Sequence, residues 1–156
     1  MALLDFSTIF RDIHPLTTHF PIALLVASVF LDVVSRFRSQ DEGLKRAAYV
    51  TLLLGALAAI VTVITGNIAL FRLGGENTPA GQLASTHEEI ATFSTLAFAG
   101  AAFWQYNSHR RGVEIKRQGL FLALEIIGVV GLVLTGLAGG NLVYTYGLGV
   151  QGAPLP

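Results

Sequence analysis

Three histidines are the residues of this sequence best suited to bind a cofactor. His14 and His19 stand near the start of one long apolar stretch, and His87 stands at the start of a later one. Histidine is rare within such stretches because its ring needs hydrogen-bond partners, so its presence there indicates a site. Neutral imidazole nitrogen binds both haem iron and other transition metals.

Haem b is the favoured cofactor. His19 and His87 would supply paired axial nitrogens from two helices that face each other across a bundle. Gly66, Gly139 and Gly140 would give the flat macrocycle clearance, because they carry no side chain. Arg72 would pair with a propionate.

Two other interpretations stay open at this point. A metal ion other than haem iron would be held by His14, His19 and His87, with Glu88 or water as a further ligand. Alternatively, the histidines bond to threonine, asparagine or backbone carbonyl groups and only connect the helices. Ser85 and Glu88 fit a capping box, which predicts a helix start at this point and a capping role for Glu88.

Four charge-poor apolar stretches must position these side chains. They cover about residues 14–36, 47–71, 88–107 and 119–140, each near the ~20 residues with which a helix crosses a bilayer. Only 13% of the residues are charged, whereas a soluble domain has about a quarter. We therefore predict one all-α domain over residues 1–156, an integral membrane four-helix bundle.

Basic residues in the connections predict the direction of the bundle. Eight lysines and arginines lie between the first and second or the third and fourth stretches, and only Arg11 and Arg72 lie on the other side. By the positive-inside rule, both termini lie outside the cytoplasm. We predict that residues 1–13 form a short helix in the outer interface and that residues 141–156 form a C-terminal tail on the outer side.

Two acidic residues within the stretches are weaker candidates. Asp32 is four residues from Arg36, which predicts an ion pair on one helix. One interpretation of Glu125 is a place in a proton path. In the favoured interpretation its side chain reaches the interface or pairs with Lys45 or Arg46. No internal repeat is evident in the sequence.

Several of these residues also form a recognisable set. It comprises His14-Pro15 with His19-Phe20-Pro21, then Asp32, then His87, and finally Gly139-Gly140-Asn141-Leu142-Val143-Tyr144 followed by Gly147 and Gly149. The set resembles a family of predicted four-helix bacterial inner-membrane proteins whose function is unknown. The resemblance covers nearly the whole chain. Some members are joined to Rieske iron–sulfur domains, which implies a redox setting.

The sequence departs from that family at two positions. Members often carry histidine where Asn141 and Tyr146 stand here. Asparagine is a poor haem ligand, so the resemblance leaves at most one haem, through His19 and His87.

These observations favour a small inner-membrane haem protein, or a subunit that supports electron transfer near the outer face. A quinone or a redox protein would be its partner. One alternative is a non-catalytic accessory or scaffold subunit of a larger membrane complex, and another is a homo-oligomeric conduit for protons or solutes. A stand-alone enzyme is not expected. The balanced charge gives no field that would attract nucleic acid, and the absence of cysteine excludes disulfides and thiolate metal sites.

Overall fold

The four apolar stretches form four long helices. The computed structural model describes residues 6–72, 76–115 and 117–150, and these residues contain helices and turns but no strand. In chain order the helices are α1 (Phe6–Phe37), α2 (Glu42–Arg72), α3 (Pro79–Arg110) and α4 (Gln118–Tyr146). The prediction of an all-α four-helix chain is confirmed.

Every helix extends beyond the apolar stretch that predicted it. α1 begins at Phe6, so the described part of the proposed interfacial segment continues directly into α1. α4 runs to Tyr146, six residues into the predicted tail, and ends where Gly147 adopts a left-handed conformation with φ 66°. An apolar stretch marks the part of a helix that suits lipid, whereas capping groups decide where the helix ends.

The start of α3 differs most from its prediction. Thr78 is the N-cap, and its side chain accepts a hydrogen bond from the Gly81 amide at 3.0 Å. Pro79 follows at the first helical position, where its missing N–H costs nothing. The predicted capping box of Ser85 and Glu88 is therefore wrong. Both residues lie inside the helix, and Glu88 is free for another role.

The outside of the bundle is apolar, as a lipid-facing surface requires. Three helical segments are long and apolar enough to cross a membrane: Ile13–Phe37, Glu42–Phe71 and Gln118–Tyr146. Exposed large side chains occur on all four helices, among them Phe20, Phe30, Leu57, Ile64, Phe93, Phe103, Val133 and Leu137. The contacts between helices include many small residues, among them Ala56, Ala59, Ala101, Ser28 and Ser94. Small inner and large outer side chains are typical of packed membrane helices.

The chain is thus a membrane protein with at least three candidate spans in the described residues. α3 carries more polar residues and stays a predicted fourth span. Its contacts with α2 and α4 place it inside the same bundle. The side of the membrane on which the termini lie, and the inner membrane as the location, stay predictions.

The helices are arranged as two consecutive hairpins. α1 packs mainly against α2, and α3 packs mainly against α4. The bounds of α1 and α3 differ by 73 residues at both ends, since Phe6 corresponds to Pro79 and Phe37 to Arg110. The two hairpins therefore repeat one arrangement along the chain.

Contacts inside the hairpins repeat with the same offset. Gly55 of α2 lies against Leu25 of α1, and Gly128 of α4 lies against Phe98 of α3. In both cases an added Cβ would overlap the larger side chain. The hairpins share few identical residues, which is why the repeat is not evident from the sequence.

Candidate metal centre

Three ligand-bearing side chains meet at the end of the bundle where α1 and α3 begin. Each of His14, His87 and Glu88 offers one ligand atom, and these atoms all lie within 4.8 Å of one another. The His14 Nε2 atom is 3.7 Å from Glu88 Oε1. The two imidazole rings stand perpendicular, with 6.2 Å between their centroids. His14 and His87 are half-buried, and Glu88 is only 5% exposed.

The orientation of His14 is set by α2. Its Nδ1 atom lies 3.1 Å from the Thr62 carbonyl oxygen and 3.3 Å from Thr65 Oγ1. A carbonyl oxygen only accepts, so Nδ1 carries the proton and donates it. In the neutral ring, Nε2 is then the nitrogen with a free lone pair, and it faces Glu88.

His87 is oriented in the same way by α4. Its Nδ1 atom donates to the Thr135 carbonyl oxygen at 3.0 Å. Gly139, one turn further along α4, leaves space for the ring, because a Cβ there would lie 3.1 Å from His87 Cε1. Both histidines therefore have the same tautomer, fixed by a backbone carbonyl of the second helix in their own hairpin.

The two histidine environments are equivalent in the repeat. His14 and His87 are 73 residues apart, and so are Thr62 and Thr135. Each histidine is 48 residues before the threonine whose carbonyl accepts its proton. The repeat therefore brings two corresponding imidazoles together between the hairpins.

Glu88 makes the site asymmetric, because Pro15 stands at the corresponding position of the first hairpin. Asn67 Nδ2 donates to Glu88 Oε2 at 3.4 Å and to the Val63 carbonyl at 2.9 Å. Gly66 leaves space for this position of Glu88, because a Cβ there would overlap the carboxylate, which would have to move. Among the side chains that the structure describes, His14 supplies the basic group within salt-bridge distance of Glu88.

This set of atoms is suited to a transition-metal ion. Metal-binding histidines almost always donate their second ring N–H to a carbonyl, carboxylate or water, which fixes the tautomer. Two imidazole nitrogens and one carboxylate oxygen form a ligand set typical of catalytic zinc and non-haem iron sites, in which positions remain for water or substrate. Metal–ligand bonds of 2.0–2.1 Å place neighbouring ligand atoms about 3 Å apart. The present separations of up to 4.8 Å would therefore have to shorten when an ion binds.

The other predicted site residues lie in different surroundings. His19 is exposed, and its Nδ1 atom lies 3.2 Å from the Pro15 carbonyl oxygen of its own helix. Gly66 and Gly139 line the site, whereas a Cβ at Gly140 would have no heavy atom within 4 Å. The side chain of Arg72 lies outside the described residues. The structure thus brings His14, rather than His19, to His87.

Asp32 and Glu125, the two acidic candidates, lie nearer the opposite end of the bundle. Asp32 and Arg36 form the predicted ion pair, at 2.6 Å. Glu125 is buried at 1% exposure, so the favoured extension to the interface is wrong. Lys45 pairs instead with Glu42 at 2.8 Å. Glu125 faces Asp32 and Arg36.

Thr62 and Thr135 are the site residues that sequence reasoning missed as orienting groups, whereas Asn67, expected as a partner of a histidine, donates to Glu88 instead. A usable signal exists, because Thr62 precedes Gly66 by one helical turn and Thr135 precedes Gly139 by the same spacing. In each case the threonine carbonyl accepts from a histidine, and the glycine leaves space for a ligand side chain.

Comparison with known proteins agrees with this architecture. The family described as "Predicted membrane protein (DUF2231)" matches residues 11–152 of the chain. No curated protein and no solved structure matches the chain.

Proposed function

We propose that this chain, which belongs to the DUF2231 family of predicted membrane proteins, binds a divalent transition-metal ion between His14, His87 and Glu88. One observation carries the proposal. Both imidazoles use Nδ1–H for a backbone carbonyl of a neighbouring helix, which leaves each Nε2 free of that bond, and one ligand atom of each ring lies within 4.8 Å of a buried carboxylate oxygen. Such fixed tautomers are the usual outer arrangement of metal-binding histidines.

The ligand types narrow the choice of metal. Imidazole suits zinc, copper, iron and nickel, whereas the all-oxygen sites of magnesium and calcium contain no histidine. With iron or copper bound, the site would serve the electron transfer that the sequence suggests, and a quinone or redox protein would dock at this end of the bundle. With zinc bound, it would hold the helix ends together or activate a water molecule.

A bare ion fits these residues better than haem b. The predicted haem ligands His19 and His87 are not brought together, since His19 is exposed and bonded within α1. Between His14 and His87, the Glu88 carboxylate lies within 4.8 Å of both ligand atoms, where a macrocycle much wider than an imidazole would have to lie. Haem binding stays a prediction, and the experiment below distinguishes it from a bare ion.

The experiment measures metal content and absorption of the purified protein. The chain is expressed without a histidine tag, purified in detergent, and analysed by elemental mass spectrometry and by its visible spectrum. We expect about one metal ion per chain without a haem absorption band. His14→Ala and His87→Ala should lose the metal, and Glu88→Gln should lower the affinity by about 10-fold or more.

His19→Ala is the matched control, because it removes a histidine of the same helix that points away from the site. It should retain the metal. Metal content that is unchanged in both His14→Ala and His87→Ala contradicts the proposal. A haem band that is lost in His19→Ala and His87→Ala supports the haem prediction instead.

A second role is favoured by the same hydrogen bonds. His14 connects α1 to α2, and His87 connects α3 to α4, so both side chains also stabilise their hairpins. In an accessory or scaffold subunit, His14 and His87 would only stabilise the hairpins and would bind no metal. Protein that is folded and free of metal, with variants that only unfold more easily, would favour that role.

A further inference from the structure

A buried carboxyl group lies in the opposite half of the bundle. Glu125 is on α4, about 10 Å along the helix from its first residue, and is only 1% exposed. Its Oε2 atom is buried and has no hydrogen-bond partner among the described residues. A buried oxygen without a partner costs about 1–3 kcal/mol, and more when it is charged. Glu125 therefore needs a group that satisfies it.

The charged groups that face Glu125 come from α1. They are Asp32 and Arg36, which act on the Glu125 carboxyl group across the contact between α1 and α4. Arg36 is already engaged, because its Nε and Nη2 atoms both donate to Asp32 Oδ2, at 2.8 and 2.6 Å. Two carboxyl groups and one guanidinium thus meet between α1 and α4.

Packing alone does not require a carboxyl group at this position. In the first hairpin the residue corresponding to Glu125 is Leu52, which is also 1% exposed. Leucine therefore fills the equivalent buried position without any polar atom. Burying Glu125 therefore costs more free energy than burying a leucine, and Leu52 shows that a leucine can fill the corresponding position.

We propose that Asp32 and Glu125 share one exchangeable proton and form a proton-binding site inside the bundle. Two ionised carboxylates in contact repel each other in apolar surroundings, and a single guanidinium neutralises only one of them. A proton between the two carboxyl groups removes that repulsion and gives the buried Glu125 carboxyl group a hydrogen bond. The two carboxyl groups with one shared proton then carry a single negative charge, which the positive charge of Arg36 balances.

This site is independent of the metal centre. Asp32 lies 18 residues after His14 on the same helix, which corresponds to about 27 Å along α1. Failure of the metal proposal therefore leaves the proton site untouched, and the reverse also holds. A proton held between helices at this depth is the element that a proton conduit would need.

Infrared spectroscopy of the full chain in lipid vesicles tests the proposal. The carbonyl stretch of a protonated carboxyl group is separate from that of a carboxylate and shifts in D₂O. At pH 7 we expect such a band in protein that carries Glu88→Gln, which removes the other buried glutamate, and its loss when Glu125→Gln or Glu125→Leu is added. Glu89→Gln, which changes an exposed glutamate of α3, should retain the band.

Isotope labelling keeps the test decisive if the Glu125 variants fold poorly. Carboxyl-¹³C glutamate shifts the band when a glutamate holds the proton, and the Glu88→Gln background removes the other buried glutamate. A band that shifts in this background supports the proposal. If folded protein shows no such band at pH 7, the proposal is wrong. The same holds if a sodium ion, rather than a proton, lies between two carboxylates.

Discussion

The half-buried histidines His14 and His87 show how individual residues acquire a chemical role from the backbone around them. The Thr62 and Thr135 carbonyl groups hold the Nδ1–H of His14 and His87, at 3.1 and 3.0 Å. Neither contact needs a particular threonine side chain, since the acceptor belongs to the main chain. Space beside the site is the feature that does depend on side-chain identity, and Gly66 provides it.

Gly66→Ala should therefore disturb the centre without changing any ligand. The added Cβ would overlap the Glu88 carboxylate, which must move away from His14. We expect metal content to fall markedly and stability to fall by about 1–3 kcal/mol, the usual cost of overpacking. Elemental analysis and thermal unfolding measure the two effects.

Gly140→Ala is the control for this substitution. No heavy atom lies within 4 Å of a Cβ placed there, and the helix propensity of alanine exceeds that of glycine. This variant should keep its metal and be equally or more stable. Equal behaviour of the two variants would show that Glu88 is not confined by Gly66.

The sequence was sufficient to place His14 and His87 at one end of the bundle, because alternating spans determine depth. It did not determine which histidine faces inward. Five residues separate His14 from His19, and at 3.6 residues per turn their side chains point about 140° apart. Both cannot face the same neighbour, so His19 had to lie outside once His14 lay inside. The partner carbonyls were not predictable, since they belong to residues far along the chain.

At the scale of the helices, hydropathy located the elements but not their ends. α3 shows the difference, because its polar first turns precede the apolar part and begin at Thr78 and Pro79. The threonine–proline pair is a specific start signal, whereas Ser85 and Glu88 only imitate one. Missing this signal gave Glu88 a capping role in the sequence prediction, which kept metal binding by Glu88 only as an alternative.

Thr78→Ala should destabilise the protein more than Ser85→Ala. Loss of the Thr78 cap leaves the Gly81 amide without its side-chain acceptor and should cost about 1 kcal/mol. Ser85 donates only to the exposed Glu76 carboxylate, at 2.6 Å, so its loss should cost about 0.5 kcal/mol or less. Unfolding in a graded denaturant series gives both values. The reverse order would indicate that the helix starts at Ser85.

For the whole molecule, the contacts require that the starts of α1 and α3 share one end with the ends of α2 and α4. Basic residues in the connections predict that this end lies outside the cytoplasm. The chain contains no cysteine, so single cysteines can report the topology directly. Asn77→Cys and Thr145→Cys should react with a membrane-impermeant maleimide in intact bacterial cells.

Ser39→Cys and Glu114→Cys test the opposite end and should react only after the cells are lysed. Reaction of all four variants after lysis shows that each cysteine is accessible. If the two pairs exchange their behaviour, the bundle keeps its fold but has the inverse orientation. If the members of a pair differ from each other, the up-and-down arrangement itself is wrong.

The correspondence of the two hairpins limits how such a centre can arise. A single hairpin that associates with an identical copy about a two-fold axis presents the same histidine twice, and any neighbouring residue also appears twice. It can offer two glutamates or two prolines beside the histidines, but never one of each. Joining both hairpins in one chain removes that constraint, so that Pro15 and Glu88 can differ, as can Leu52 and Glu125. Both candidate sites of this protein therefore depend on a difference between its two halves, which permits one acidic group where symmetry would impose a pair.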